Sequence, residues 1–184
     1  MAHGAQPHPN RRLIPNRMAT NNTSVRTLSL DVRSAKFGFV VFEGSGRLCD
    51  FGVRRYAQQS GLTNAAASKN FLKLVYLYLP SLIVIGVATG HRDKQIRRAR
   101  IAALAFQRAA RRRSILSRFV SRRTIKEYFQ TLGPSTKHEI ASYLAERFPD
   151  LSWKQPLKRK PWQPEPYQMP IFDAAASGLT FLSK

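Results

Sequence analysis

The sequence predicts an α/β fold: a mixed sheet in which three antiparallel strands precede strands that alternate with helices, with helices on both faces. Three observations carry this expectation. Three apolar segments follow one another over residues 25–56, separated by turns too short to hold a helix. The run Ser81-Leu82-Ile83-Val84-Ile85-Gly86-Val87 is almost continuously apolar, the composition of a central strand covered on both sides. After it, segments of helical periodicity alternate with one further short β segment.

Each element has its own signal. The first strand spans residues 25–32 and reads Thr27-Leu28-Ser29-Leu30-Asp31-Val32, an apolar stretch closed by one carboxylate. The second covers 36–43 and the third 47–56, joined by the hairpin-type turn Gly44-Ser45-Gly46. Thr63 or Asn64 caps a helix to about residue 79, with Phe71, Leu72, Leu74, Val75 and Leu77 on one side. The central strand 81–87 follows. A long helix is expected from about 93 to 112, with Ile96, Ile101, Leu104 and Phe106 as its apolar side and arginines over the rest. Residues 115–120 read as a strand and 122–132 as a short helix. Thr136-Lys137-His138-Glu139 is a capping box opening a helix to about 148, where Pro149 ends it. Residues 150–170 are rich in Pro, Trp and Lys and are expected to be irregular, held to the core by Trp153 and Trp162. The last helix starts near Pro170 or Ile171 and runs to 182. Residues 1–25, rich in Pro, Asn and Arg, read as a disordered basic tail, leaving 26–184 as one domain.

Charge narrows the partner. The 184 residues carry 31 Lys and Arg against 10 Asp and Glu, a formal charge of +21. A compact domain so charged repels itself unless a polyanion is close, so nucleic acid comes first and an anionic membrane surface second. From His91 to Lys126 there are 13 basic residues and one acid, Asp93. A solvated helix face normally mixes signs, so this density reads as a surface that tracks phosphates. Arg92, Lys94, Arg97, Arg98, Arg111, Arg112 and Arg113 are its expected contacts, and Arg33, Lys36 and Lys137 are expected nucleic-acid contacts outside it. A second cluster, Lys154, Lys158, Arg159 and Lys160, lies beside the two tryptophans. Aromatics next to cations can stack on exposed bases, but the simpler expectation is that both rings pin the loop.

The single cysteine, Cys49, forms no disulfide within the chain and supports no cysteine-rich zinc site. The first residues lack the apolar core of a secretory signal. The apolar stretch 74–90 is broken by Pro80 and Ser81, and it reads as a helix end plus a buried strand, with no membrane span. A cytoplasmic, nucleoid-associated protein is expected.

The order of elements and the strand ending in Asp31 resemble the ribonuclease H-like fold, and within it the RuvC-type Holliday junction resolvases. In that family strand one carries an Asp followed by a small turn and a second strand, as in Leu28-Ser29-Leu30-Asp31-Val32-Arg33-Ser34. The family's last helix opens on an Asp and small residues, as in Ile171-Phe172-Asp173-Ala174-Ala175-Ala176-Ser177-Gly178-Leu179. The likeness covers roughly residues 26–182. Two positions depart from it. The family places a Glu just after the fourth strand, where this chain reads Val87-Ala88-Thr89-Gly90-His91-Arg92-Asp93. Pro170 stands where the family has a further Asp.

What the resemblance implies is an endonuclease for branched or structured DNA, dependent on Mg2+ (or Mn2+), working as a homodimer. Hydrolysis of a phosphodiester needs neutralisation of the phosphate and an activated water, which hard cations held by several carboxylates supply. Asp31 and Asp173 are the expected pair. The third ligand is open between Glu165, Glu43 and Asp93, with Glu165 preferred because Pro164 and Pro166 stiffen its loop. Glu43 lies at the wrong end of an antiparallel strand, and Asp93 fits the first turn of a helix. Each residue also has an ordinary reading: Asp31 as a turn cap, Asp173 as a helix N-cap, Glu139 as the capping-box partner, His91 and His138 as surface histidines. The rival function is a nucleic-acid-binding module of the same fold whose catalytic set has decayed. An actin- or Hsp70-like ATPase shares the first hairpin, but no Gly-Gly adenosine motif follows. A ribosome-associated protein would explain the charge and leave Asp31 unexplained.

Overall fold

Alternation along one strand decides which side of the sheet each functional group serves. The computed structural model describes residues 25–55, 63–87, 94–160 and 162–183. The basic tail expected over residues 1–25 falls, Val25 aside, outside them, as do Arg92, His91 and Asp93. Strand β1 (Arg26–Val32) is buried along nearly its whole length. Leu28, Leu30 and Val32 enter one apolar cluster, whereas Thr27, Ser29 and Asp31, all buried, point to the opposite face.

Five strands form one sheet in the order β3-β2-β1-β4-β5. β2 (Lys36–Glu43) pairs antiparallel with β1, with Asp31 opposite Gly38, and β3 (Arg47–Arg55) pairs antiparallel with β2. β4 (Leu82–Val87) runs parallel to β1 and β5 (Leu116–Val120) parallel to β4. The sheet is therefore mixed, as expected, and β1 is its central strand.

Helices α1 (Thr63–Tyr78) and α2 (Lys94–Arg111) cover one face. Phe71 stacks on Phe106 at 4.7 Å between centroids and Phe37 meets Phe106 edge-on at 5.2 Å, so one aromatic each from α1, α2 and β2 closes this core. α2 corrects the expected apolar side. Its buried residues are Ala99, Ala102, Ala103, Phe106, Ala109 and Ala110, while Ile101 and Leu104 are each 44% exposed. Side-chain size explains the difference: an alanine face lets the helix approach the sheet and α1 closely, and a face of larger residues would hold it off.

The other face is covered by α3 (Arg122–Thr131), α4 (Lys137–Arg147) and α6 (Met169–Leu182), with the short α5 (Pro149–Ser152) after α4. Pro149 thus opens a helical turn at its first position, where a missing N–H costs nothing. α4 begins with the expected capping box: Thr136 accepts from the Glu139 N–H and Glu139 reaches back to the cap. α6 lies directly across β1 and β2. The Ser29 hydroxyl donates to the Ala174 carbonyl at 2.6 Å in the buried interface. Gly38 is required there, because a Cβ would run into the Pro170 backbone. These contacts set how close the start of α6 comes to the end of β1.

Candidate active site

Three acidic residues from distant parts of the chain meet around one arginine. Asp31 comes from the C-terminal end of β1, on the face that α6 covers. Asp173 comes from α6. That helix starts at Met169, so Asp173 lies in its second turn and is no N-cap; Gln168 holds the cap position. Glu165 comes from the proline-flanked segment before α6, where the Met169 N–H donates to the Pro166 carbonyl at 3.1 Å.

Arg33, just beyond β1, is placed by a tight turn in which its N–H donates to the Lys36 carbonyl at 3.0 Å. Its Nε donates to Asp31 Oδ2 at 2.6 Å and its Nη2 to Asp173 Oδ2 at 2.5 Å, while Nη1 donates to Glu165 Oε2. Lys137, at the start of α4, bridges Glu165 and Asp173, the latter at 2.7 Å. Arg122, at the start of α3, approaches Asp173 Oδ2 at 3.9 Å. Three negative groups thus face three positive ones in a half-buried setting, where charges are tolerated only when paired.

The electrostatics follow from that geometry. Burial, and then the neighbouring Asp173 charge, push the Asp31 carboxyl up to about 6 against the pull of Arg33. Burial works against the Arg33 charge, but Asp31 and Asp173 outweigh it and raise the guanidinium above its ordinary value. For Glu165 burial is likewise outweighed, first by the Lys137 hydrogen bond, and the carboxyl is held below the usual range.

A cavity of about 200 Å³ opens beside the cluster, lined by Asp31, Asp173, Arg122, Lys126, Lys137 and Ser177 among others. Gly86 also lines it. This residue is the β4 neighbour of Asp31 in the parallel register. It has no room for a side chain, since a Cβ would stand 2.5 Å from Ser177 Oγ. β4 therefore adds no carboxylate next to Asp31. Glu43 sits at the opposite end of β1, opposite Arg26, and pairs with Arg26 and Arg47.

The donor set suits a hard divalent cation in type, three carboxylates within reach of one group. In spacing it does not yet close: among the described residues no three His, Cys, Asp or Glu side chains come together as a metal shell, and the Arg33 guanidinium stands between the acids.

The expected phosphate-contacting residues separate into groups. Arg33 and Lys137 belong to the acid cluster itself. Lys36 lies beside it, its Nζ 4.4 Å from the centre of the Tyr167 ring. Gln95, Ile96 and Ala99 line a second cavity with Asp31, Arg33 and Glu165, which brings the first turns of α2, and the exposed Lys94, Arg97 and Arg98, to the site's rim. Arg111, Arg112 and Arg113 lie at the far end of this 18-residue helix, about 25 Å away at 1.5 Å per residue. Arg113 is moreover tied to α1, donating to the Tyr76 hydroxyl at 3.0 Å. Arg122 falls within the basic stretch from His91 to Lys126, and its place just after β5, the parallel neighbour of β4, brings it to Asp173.

The tryptophan expectation is overturned. Trp153 is 71% and Trp162 77% exposed, so neither pins its loop. Buried Leu151 and Pro156 do that instead.

No family model and no curated protein matches the chain by sequence. The structure of Thermus thermophilus RuvC aligns with a TM-score of 0.64 at 19% identity, covering 85% of this chain and 92% of that one. RuvC from the same organism in complex with a Holliday junction substrate aligns at 0.62 and 18% identity, covering 85% and 91%. The yeast mitochondrial Holliday junction resolvase aligns at 0.62 and 11% identity, covering 86% and 78%. The chain has the ribonuclease H-like fold in its RuvC-type form.

Proposed function

We propose that this protein is an endonuclease for branched DNA of the Holliday junction resolvase type. The observation that carries the reading is the convergence of Asp31, Glu165 and Asp173, from β1, a loop and α6, at the end of the central strand. A RuvC-type fold with a strongly basic surface supports it.

In this reading Asp31, Glu165 and Asp173 would hold Mg2+ or Mn2+ once the Arg33 guanidinium no longer stands between them. The ion, when bound, supplies neutralisation of the scissile phosphate and a more acidic water. The chain's own cations do the rest. Lys137 and Arg122 flank Asp173 and receive the phosphate's charge, and Arg33, released from the acids, adds a planar donor fork. Lys94, Arg97 and Arg98 on α2 hold the approaching backbone without reading bases. Cutting two strands symmetrically calls for two copies of the chain.

The test is cleavage of a synthetic four-way junction in Mg2+ and in Mn2+. Cleavage is expected with the native chain and is expected to be lost in Asp31→Asn, Asp173→Asn and Glu165→Gln, with junction binding retained. Full activity in Asp31→Asn would sink the assignment. A specific observation favours a second reading, a binding module without catalysis: the acids are already neutralised by Arg33 and Lys137, and Gly86 offers no further ligand. Tight junction binding with no cleavage in either metal would select it.

A further inference from the structure

Between α5 and Glu165 the chain presents two exposed indoles and an exposed leucine, and nothing among the described residues covers them. Trp153, Leu157 and Trp162 are 71%, 89% and 77% exposed. Exposed apolar side chains gathered in one segment mark a contact surface. Its chemistry is specific: residues 151–164 contain four cations, Lys154, Lys158, Arg159 and Lys160, and no acid. Lys154 Nζ lies 3.7 Å from the centre of the Trp153 ring and Lys160 Nζ 5.5 Å from that of Trp162, so each ring face is flanked by an ammonium.

The segment is built, with its own hydrogen bonds. Gln163 organises the turn that carries Trp162: its side-chain carbonyl accepts from the Lys160 N–H at 2.9 Å, its N–H donates to the Lys160 carbonyl at 3.0 Å, and its own carbonyl accepts from Arg159 at 2.5 Å. At the other end Gln155 donates to Ser142 of α4 at 3.0 Å. Two adjoining hollows follow the segment. One, about 590 Å³, is lined by Trp153, Leu157 and Lys158. The other, about 560 Å³, shares Leu157 and Lys158 and reaches Lys137 and Glu165. Trp153 is thus joined to the acid cluster through hollows that share Leu157 and Lys158, and Trp162 adjoins the first of them through its neighbour Gln163.

We propose that this segment binds a nucleic-acid strand with unpaired bases next to the acid cluster, Trp153 and Trp162 stacking on bases while Lys154, Lys158 and Lys160 take the flanking phosphates. The occupant follows from charge and shape. A ring face flanked by ammonium groups suits a base whose own phosphate meets the ammonium, whereas bases inside a duplex are already stacked and offer no free face. The inference rests on the nuclease reading for its context, but neither metal nor cleavage is needed to test it.

The chain contains two tryptophans, both in this segment, so tryptophan emission reports the segment directly. The full chain is titrated with an oligothymidylate and with a blunt duplex of equal length, without metal. Quenching is expected to saturate at a concentration at least tenfold lower for the single strand. With a fluorescein-labelled oligothymidylate read by anisotropy, Trp153→Ala and Trp162→Ala are each expected to weaken binding roughly tenfold, the order of one lost base stack. Trp→Phe at either position is expected to stay within about threefold of the native chain, because the phenyl ring still stacks. Equal quenching by the duplex, native affinity in both alanine variants, or quenching by anionic vesicles and not by the oligonucleotide would overturn the proposal. Junction cleavage without quenching refutes this surface and leaves the nuclease reading standing. Quenching without cleavage does the reverse.

Discussion

Arg33 Nη2 stands 2.5 Å from Asp173 Oδ2, although the two residues are 140 positions apart in the chain. The same guanidinium engages Asp31 and Glu165, so one side chain balances every acid of the candidate site.

Replacing Arg33 by Gln leaves three carboxylates facing one lysine and a more distant arginine. Breaking a fully buried pair costs about 3–5 kcal/mol, and partial solvent access reduces the expected loss here to about 2–3 kcal/mol. Manganese is expected to restore that loss by taking up the freed oxygens, and EDTA to abolish the recovery. Thermal melts with and without Mn2+ check this. A variant as stable as the native chain in EDTA would show that Arg33 carries no such burden.

Asp31 offers a prediction of opposite sign. Its carboxyl rises from an ordinary 3.8 to about 6 in the fold, so the folded state binds the proton more tightly than the unfolded one. Its contribution therefore turns unfavourable as pH rises through the interval from 3.8 to about 6 and is fully adverse above it. Asp31→Asn is expected to raise metal-free stability at pH 7 by about 2–3 kcal/mol, or several degrees in Tm. Below pH 4 the gain should vanish. Melts across this range distinguish the outcomes: a neutral or destabilising effect at pH 7 contradicts the assigned burial cost.

Gly38→Ala pushes a methyl group into the backbone of Pro170, which α6 cannot yield without leaving β1. Overpacking of this kind costs roughly 1–3 kcal/mol. Because the displaced turn precedes Asp173, junction cleavage should fall more than stability alone explains. Activity measured well below the variant's Tm separates the two effects.

Thr136→Ala removes the hydroxyl that accepts from the Glu139 N–H and opens the capping box of α4. A loss of about 1 kcal/mol is expected. Lys137 is the next residue, so affinity for junction DNA should also weaken. Serine at 136 should recover both, and failure of serine to do so would point to a role for the threonine methyl group.

Much of this arrangement was legible in the sequence, for identifiable reasons. β1, β2 and β4 are buried strands whose apolar runs leave few other structures open, and Asp31 and Asp173 each close or open such a run. Among the three possible partners, proline-flanked Glu165 comes to Arg33, whereas Glu43 stays at the far end of β1. Other features depend on what a side chain faces, which periodicity does not encode. α2 buries its alanines and exposes Ile101 and Leu104, because close packing selected size over hydrophobicity. Trp153 and Trp162 looked like anchors by composition and stand in solvent. Arg33 looked like a DNA contact, and only the meeting of three segments made it the hub of the acids.

The Ser29–Ala174 hydrogen bond joins the first strand to the last helix. Asp31 is therefore made early during synthesis, and its acidic companions arrive only when residues 165–173 have left the ribosome. Until α6 docks, the face of β1 that carries Asp31 is uncovered and the acid cluster around Arg33 is not assembled.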